Sequence, residues 1–321
     1  MRVNGKFLFW GVSLATIGGV LVASDLRIVD TAVLGDALRL WPLAVIAIGV
    51  ALVLRRTDLR IPALALGAAV TGLVLGAAFS VGPRFAEICG TRAEAASMAT
   101  TQGTFDGPAT VAVRGACGSL DVTTAPGNGW QLNAGNTAGR TPNVESSASS
   151  LSIDAGVDQD DGFFDAGRDA WDLTLPTSDL DRLSLVVTAG RGRIDLPGAQ
   201  IDELALTANA AAMAVDASAA SVSDLSAVVN VGSLSVRLPA ESDLTGILRV
   251  GAGDVRICAP PGLGLRVTST DATDQVMVGG LRQAGAATWQ NPEYASATHR
   301  ADLSVSSTFG AVEIDPIGGC S

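Results

Sequence analysis

Between Leu173 and Pro260 the chain repeats itself every 21 residues without a gap. Steps of 21 from Leu173 reach Ile194, Val215, Val236 and Ile257. Two residues on, the column reads Leu175, Leu196, Ala217, Leu238 and Ala259, and the next reads Pro176, Pro197, Ser218, Pro239 and Pro260. A small-residue column, Gly190, Ala211, Gly232 and Gly253, precedes each unit's strand, and a second strand contributes Leu183, Leu204 and Leu225.

This spacing admits few folds. In "RIDLP", Ile194 and Leu196 share one face and Asp195 takes the other, as period-2 alternation requires. A 21-residue unit holds two or three such strands joined by tight turns. Glycine supplies a turn, and proline ends a strand by removing a ladder donor. A unit so small cannot bury a core alone, so units stack and each continues the sheet of its neighbour. The expected fold of residues 105–321 is therefore an all-β solenoid of β-helix type, clearest over 172–260, with inward Leu173, Ile194, Val215, Val236 and Ile257. Aromatic residues make up only 4% of the chain, which suits thin layers of small and branched side chains. The LxxLxLxxN pattern of a leucine-rich repeat is absent. "GSLDVTTAPG" and "SLSIDAG" resemble the unit out of phase before the array, and "DQVMVGG" and "GAVEIDP" continue it afterwards.

The first 82 residues read differently. They hold seven Lys/Arg against four Asp/Glu, whereas residues 83–321 hold fourteen against twenty-eight. Three apolar runs, about 7–24, 37–54 and 61–82, approach or exceed the roughly 20 residues a membrane-crossing helix needs. The expectation is three transmembrane helices, then a linker over 83–104. Positive-inside counting puts Arg2, Lys6 and the "RRTDLR" loop in the cytoplasm, so the acidic remainder lies outside the cell. The lipid bilayer is then a partner. A net charge of −11 argues against nucleic acid.

At this point two resemblances enter. "FLFWGVSLATIGGVLV" followed by "LWPLAVIAIGVALVLRR", with Trp41-Pro42 opening the second run, resembles the paired-helix region of LiaI/LiaF-like bacterial envelope proteins. The repeated Gly-x-Gly-x-hydrophobic strands are similar to toastrack, adhesin-like domains that follow such helices. The resemblance implies a plasma-membrane protein that senses or modulates envelope stress through a membrane histidine kinase. An adhesin-like, envelope-binding module is the alternative, and an exported carbohydrate-active enzyme ranks below both.

Four cysteines, Cys89, Cys117, Cys258 and Cys320, all fall on the side assigned as external, which favours disulfides. Cys258 follows Asp195, Asp216 and Arg237 in an outward column, so its partner must approach from outside the stack. Cys320 is the first choice, leaving Cys89 with Cys117, while Cys89–Cys258 and Cys89–Cys320 stay open. Chemistry is sparse. A single histidine, His299, sits in a polar stretch, and no metal or cofactor motif is present. The expectation is a non-enzymatic protein without cofactor. The loop "DQDDGFFDAGRD" carries Asp158, Asp160, Asp161, Phe163 and Phe164 and is a candidate binding loop, although Gly162 comes too early for a calcium loop.

Overall fold

The computed structural model describes residues 5–25, 67–73, 89, 98–156, 167–178, 180–270 and 276–314. The chain divides into two units, Met1–Phe85 and Ala86–Ser321. In the first, helix α1 spans Gly5–Asp25 and residues 67–73 are helical. Ser13 Oγ donates to the carbonyl of Ala68 at 3.1 Å, and a Cβ on Gly72 would crowd the Ser13 carbonyl.

This corrects the expected three transmembrane helices. Among the described residues no helix is long and apolar enough to cross a membrane. The first run falls within α1 and includes Trp10, Ser13, Thr16 and glycines 11, 18 and 19. Of the run over 61–82, the described residues are 67–73, which are helical. The run over 37–54, with Trp41 and Pro42, lies outside the described residues. The described chain is overwhelmingly β.

In chain order the strands of the second unit are β1 (Met98–Thr104), β2 (Ala109–Ala125), β3 (Gly129–Asn136), β4 (Asn143–Ser146), β5 (Ser150–Asp154), β6 (Asp169–Pro176), β7 (Leu180–Asp195), β8 (Gln200–Asp216), β9 (Ser221–Arg237), β10 (Leu244–Cys258), β11 (Gly264–Ser269), β12 (Val276–Val278), β13 (Arg282–Gly285), β14 (Thr288–Gln290), β15 (Arg300–Ser307) and β16 (Ala311–Ile314). All belong to one sheet.

The strands β7 to β10 run parallel, and each residue pairs with the one 21 positions on. Burial shows how a coil is shaped. Leu183, Leu185, Val187 and Ala189 point inward, then Gly190, Gly192, Ile194 and Leu196, then Ala199 and Ile201. Parity therefore switches at 181–182, 189–190 and 197–198, and each coil bends at three places. At some rungs the middle bend needs glycine. Gly118, Gly190 and Gly232 have φ of +151°, +119° and +119°, and a Cβ on each would land on the neighbouring coil's backbone.

Leu173, Ile194, Val215, Val236 and Ile257 are all buried. Leu173 does not touch the coil of Ile194, however. Val122 pairs with both and lies between them. The chain is laced at this end, because β2 sits between β7 on one side and β5 with β6 on the other. The far end is laced likewise, with β15 and β16 between β10 and the pair β11, β12. The Leu183–Leu204–Leu225 column reaches Gly246 in β10, whose missing side chain makes room for Leu303 from β15.

Antiparallel strands close both ends: β3 and β1 on β6, and β14 and β13 on β11. Closure terminates the parallel stack in the way small capping elements do in other solenoids. At the C-terminal end, a 3-10 turn at Pro292–Ala295 carries Tyr294. Its hydroxyl donates to Asp302 Oδ1 at 2.9 Å, as does Arg266 Nε at 2.7 Å, and Arg266 lies 4.8 Å over its ring. Burial first, then the Asp302 hydrogen bond and charge, hold the phenol above its ordinary pKa against Arg266 and Arg300. Tyr294→Phe is expected to cost about 1 kcal/mol, since Asp302 keeps its arginine. The shift in denaturant midpoint measures it.

Cys89 and Cys117 form a disulfide, with Cα atoms 5.0 Å apart. Cys117 pairs in register with Ala189, at the glycine corner. Cys258 is also disulfide-bonded, and Cys320 lies outside the described residues. Beside Cys117, Asp169 is only 7% exposed. Burial pushes its carboxyl up to about 6, against hydrogen bonds from Asn136 Nδ2 (2.8 Å) and the amides of Ala116 and Cys117, and the charge of Arg140.

Candidate functional site

Between the glycine corner and the Pro-Gly turn, each coil presents a short wall whose outward side chains form ladders about 4.8 Å apart. One ladder runs Ser119, Arg191, Ala212, Ser233, Asp254 and Ala311. The next runs Asp121, Arg193, Ala214, Ser235, Arg256 and Glu313. A third contains Asp195, Asp216, Arg237 and Cys258. Small side chains on β8 and β9 thus lie between charged ones on β7 and β10, and the difference in side-chain length carves a trough.

The trough has a volume of about 790 Å³, and a hollow of about 530 Å³ adjoins it through Arg193, Ala214, Ser235 and Arg256. Its floor is Ala212, Ala214, Ser233 and Ser235 over buried Met213 and Leu234. Arg191 and Arg193 form one bank, and Asp254 and Arg256 the other. At the turn end, Arg237 Nη1 meets Asp216 Oδ2 at 3.1 Å. Partial burial opposes ionisation of Asp216, but the Ser218 hydroxyl (2.6 Å) and amide, with Arg237, hold its carboxyl below the usual range. Arg256 reaches away from the floor to Glu313, with Nη2 to Oε2 at 3.0 Å and Nε to Oε2 at 3.1 Å. Among the described residues neither Arg191 nor Arg193 has an ion-pair or hydrogen-bond partner. Two cations without a partner among the described residues thus line one side of a floor without bulky side chains.

The outward column Asp195, Asp216 and Arg237 belongs to this wall. The Asp158, Asp160, Asp161, Phe163 and Phe164 of the acidic loop lie outside the described residues. Cys258, though outward by register, is buried at 9% exposure and does not join the apolar core. His299 stands apart from the trough, where its carbonyl accepts from Gly264 N–H at 3.0 Å. Among the described residues no group of His, Cys, Asp or Glu is placed to hold a metal ion.

Sequence reasoning missed Arg191, Arg193, Asp254, Arg256, Asp121 and Glu313. Part of the signal was present. "GRGRID" sets Arg191, Arg193 and Asp195 on one face, and "GDVRIC" sets Asp254 and Arg256 there too. Nothing local brought Asp121 beside Arg193 or Glu313 beside Arg256, because β2 and β16 are inserted out of chain order.

No protein-family profile and no curated protein matches the chain. Solved structures do. A candidate cell adhesion protein from Clostridium sporogenes is similar at 12% identity and a TM-score of 0.47, over 68% of this chain and 99% of that one. A candidate adhesin from Bacteroides fragilis is similar at 10% identity and a TM-score of 0.27, over 68% and 97%. One from Parabacteroides merdae is similar at 7% and 0.26, over 70% and 98%.

Proposed function

We propose that the β unit is an exported, non-catalytic, adhesin-like binding module that holds an extended ligand in the trough on its short wall. The observation that carries this reading is the trough itself, a small-residue floor between charged banks, with Arg191 and Arg193 uncommitted among the described residues. Export is supported by the Cys89–Cys117 disulfide and the oxidised Cys258, since such bonds persist in oxidising compartments. A non-catalytic role is supported by the carboxylates. Asp216 and Glu313 are each bound to an arginine, and Asp216 is held low, whereas a glycosidase acid needs a raised value. Relay of envelope stress to a membrane histidine kinase drew on the resemblance of the first 60 residues and gains no support from the described ones.

The test is steric. Ala214 is exposed on the floor, so Ala214→Trp fills the trough without entering the core. It is expected to weaken adhesion of the full-length chain to bacterial envelope preparations at least tenfold with an unchanged melting temperature. Asp224→Trp, on an opposite corner, is the control. Equal adhesion by both variants would remove the trough from the function.

A further inference from the structure

Taking the trough as the binding site, on the reading above, we infer that its occupant is a glycan bearing spaced carboxylate groups. One carboxylate lies on Arg193, Arg191 lies on the same bank, and Arg256 stands on the opposite bank.

Three features select this chemistry. The first is the placement of the arginines. Arg193 and Arg256 occupy one ladder three rungs apart, about 14 Å between their backbones, with only Ala214 and Ser235 between them. Arg256 uses Nε and Nη2 on Glu313, which leaves Nη1 without a partner among the described residues, and Arg193 is uncommitted. Guanidinium groups take carboxylates through paired, charge-assisted hydrogen bonds, so a ligand that sets an acid on Arg193 and spans the floor toward Arg256 is the natural complement.

The second feature is the backbone. In β7, β8, β9 and β10 the ladder bonds run without interruption beneath the trough. A peptide recognised by strand addition needs an open sheet edge with free amides and carbonyls. A sheet face offers side chains only, so the ligand must bring its own dense polar groups. A sugar chain does so, and Ser233, Ser235 and Asp254 meet hydroxyls where Arg191 and Arg193 meet acids.

The third feature is what the wall and its surroundings set against other ligands. Among the described residues no aromatic side chain lines the trough, so a neutral sugar has no ring there to stack on and binding depends on charge. Residues 83–321 carry fourteen arginines against twenty-eight acidic residues, and that field repels a dense polyanion such as nucleic acid. Spaced acids suffer this least.

Isothermal titration of the full-length chain with hyaluronan oligosaccharides, which carry one carboxylate per disaccharide, tests the inference. The methyl ester of the same oligosaccharide is the neutral partner. The acid is expected to bind at least tenfold more tightly than the ester. Arg193→Ala, at an exposed and unpaired position, is expected to remove at least tenfold of that affinity without moving the melting temperature. Raising salt from 50 to 300 mM weakens the acid and not the ester. Three results would each overturn the inference: no hyaluronan binding at millimolar concentration, equal binding of acid and ester, or poly-glutamate binding as tightly as hyaluronan. If any of these accompanies loss of envelope adhesion in Ala214→Trp, the trough stands as the site and only the acidic-glycan class falls. If Ala214→Trp is also silent, the functional reading itself fails.

Discussion

Gly232→Val is expected to destabilise the β unit by at least about 3 kcal/mol, seen as a lower denaturant midpoint in circular dichroism. Two independent costs combine. At φ +119° an L-residue pays for a backbone conformation that only glycine occupies freely. A Cβ there would also land on the Ala211 carbonyl, which belongs to backbone and cannot swing aside as a flexible side chain would. Ala211 stands in the same column one coil earlier, so the column does not demand glycine at every rung. The contrast makes the expectation sharp: Ala211→Gly should cost far less than Gly232→Ala. Similar losses at the two positions would mean that the corner is governed by side-chain packing and not by backbone geometry.

The second large effect is a pH dependence centred on Asp169. Its carboxyl ionises near pH 6 in the folded chain and near its ordinary 3.8 when unfolded. Between these values the folded state binds more proton, so stability falls as pH rises. The contribution is fully present below about pH 4 and gone by about pH 7, and its size is about 3 kcal/mol. Other carboxylates contribute their own slopes, so the measurement is a difference. The stability of the native chain minus that of Asp169→Asn, followed from pH 4 to pH 7, should decline by about this amount. Asparagine does not titrate, whatever its effect on baseline stability. A flat difference would show that the carboxyl is better solvated than its 7% exposure implies. The site matters because Asp169 opens β6 beside Cys117, where the laced strand β2 meets the glycine corner.

Much of the coil was legible in sequence. Ile194 and Leu196 against Asp195 revealed which side faces inward, and the Gly190 and Gly232 column marked a bend. These are local facts, since each depends on neighbours along the chain or one period away. The helical region shows the opposite outcome. Counting uncharged residues over 7–24 measured length alone and did not foresee that Ser13 meets the Ala68 carbonyl. The candidate site was half legible. Asp195, Asp216 and Arg237 were recognised as outward, but the arginines that define the trough sat in the same stretches and went unremarked, because a trough is a contrast between ladders and not a property of one.

What the sequence by itself determined is the repeating coil: its period, its inward stripe and its glycine corner. Each is written 21 residues away in the next copy, where parallel pairing aligns like with like. Only the tertiary structure decided where the ends go. Val122 came between Leu173 and Ile194, and Glu313 came beside Arg256 across 57 residues. Those pairings repeat nowhere in the sequence. They are chosen because each end of a parallel stack must cover its open edge and apolar core, and the strands that do so best are recruited from wherever the chain can deliver them.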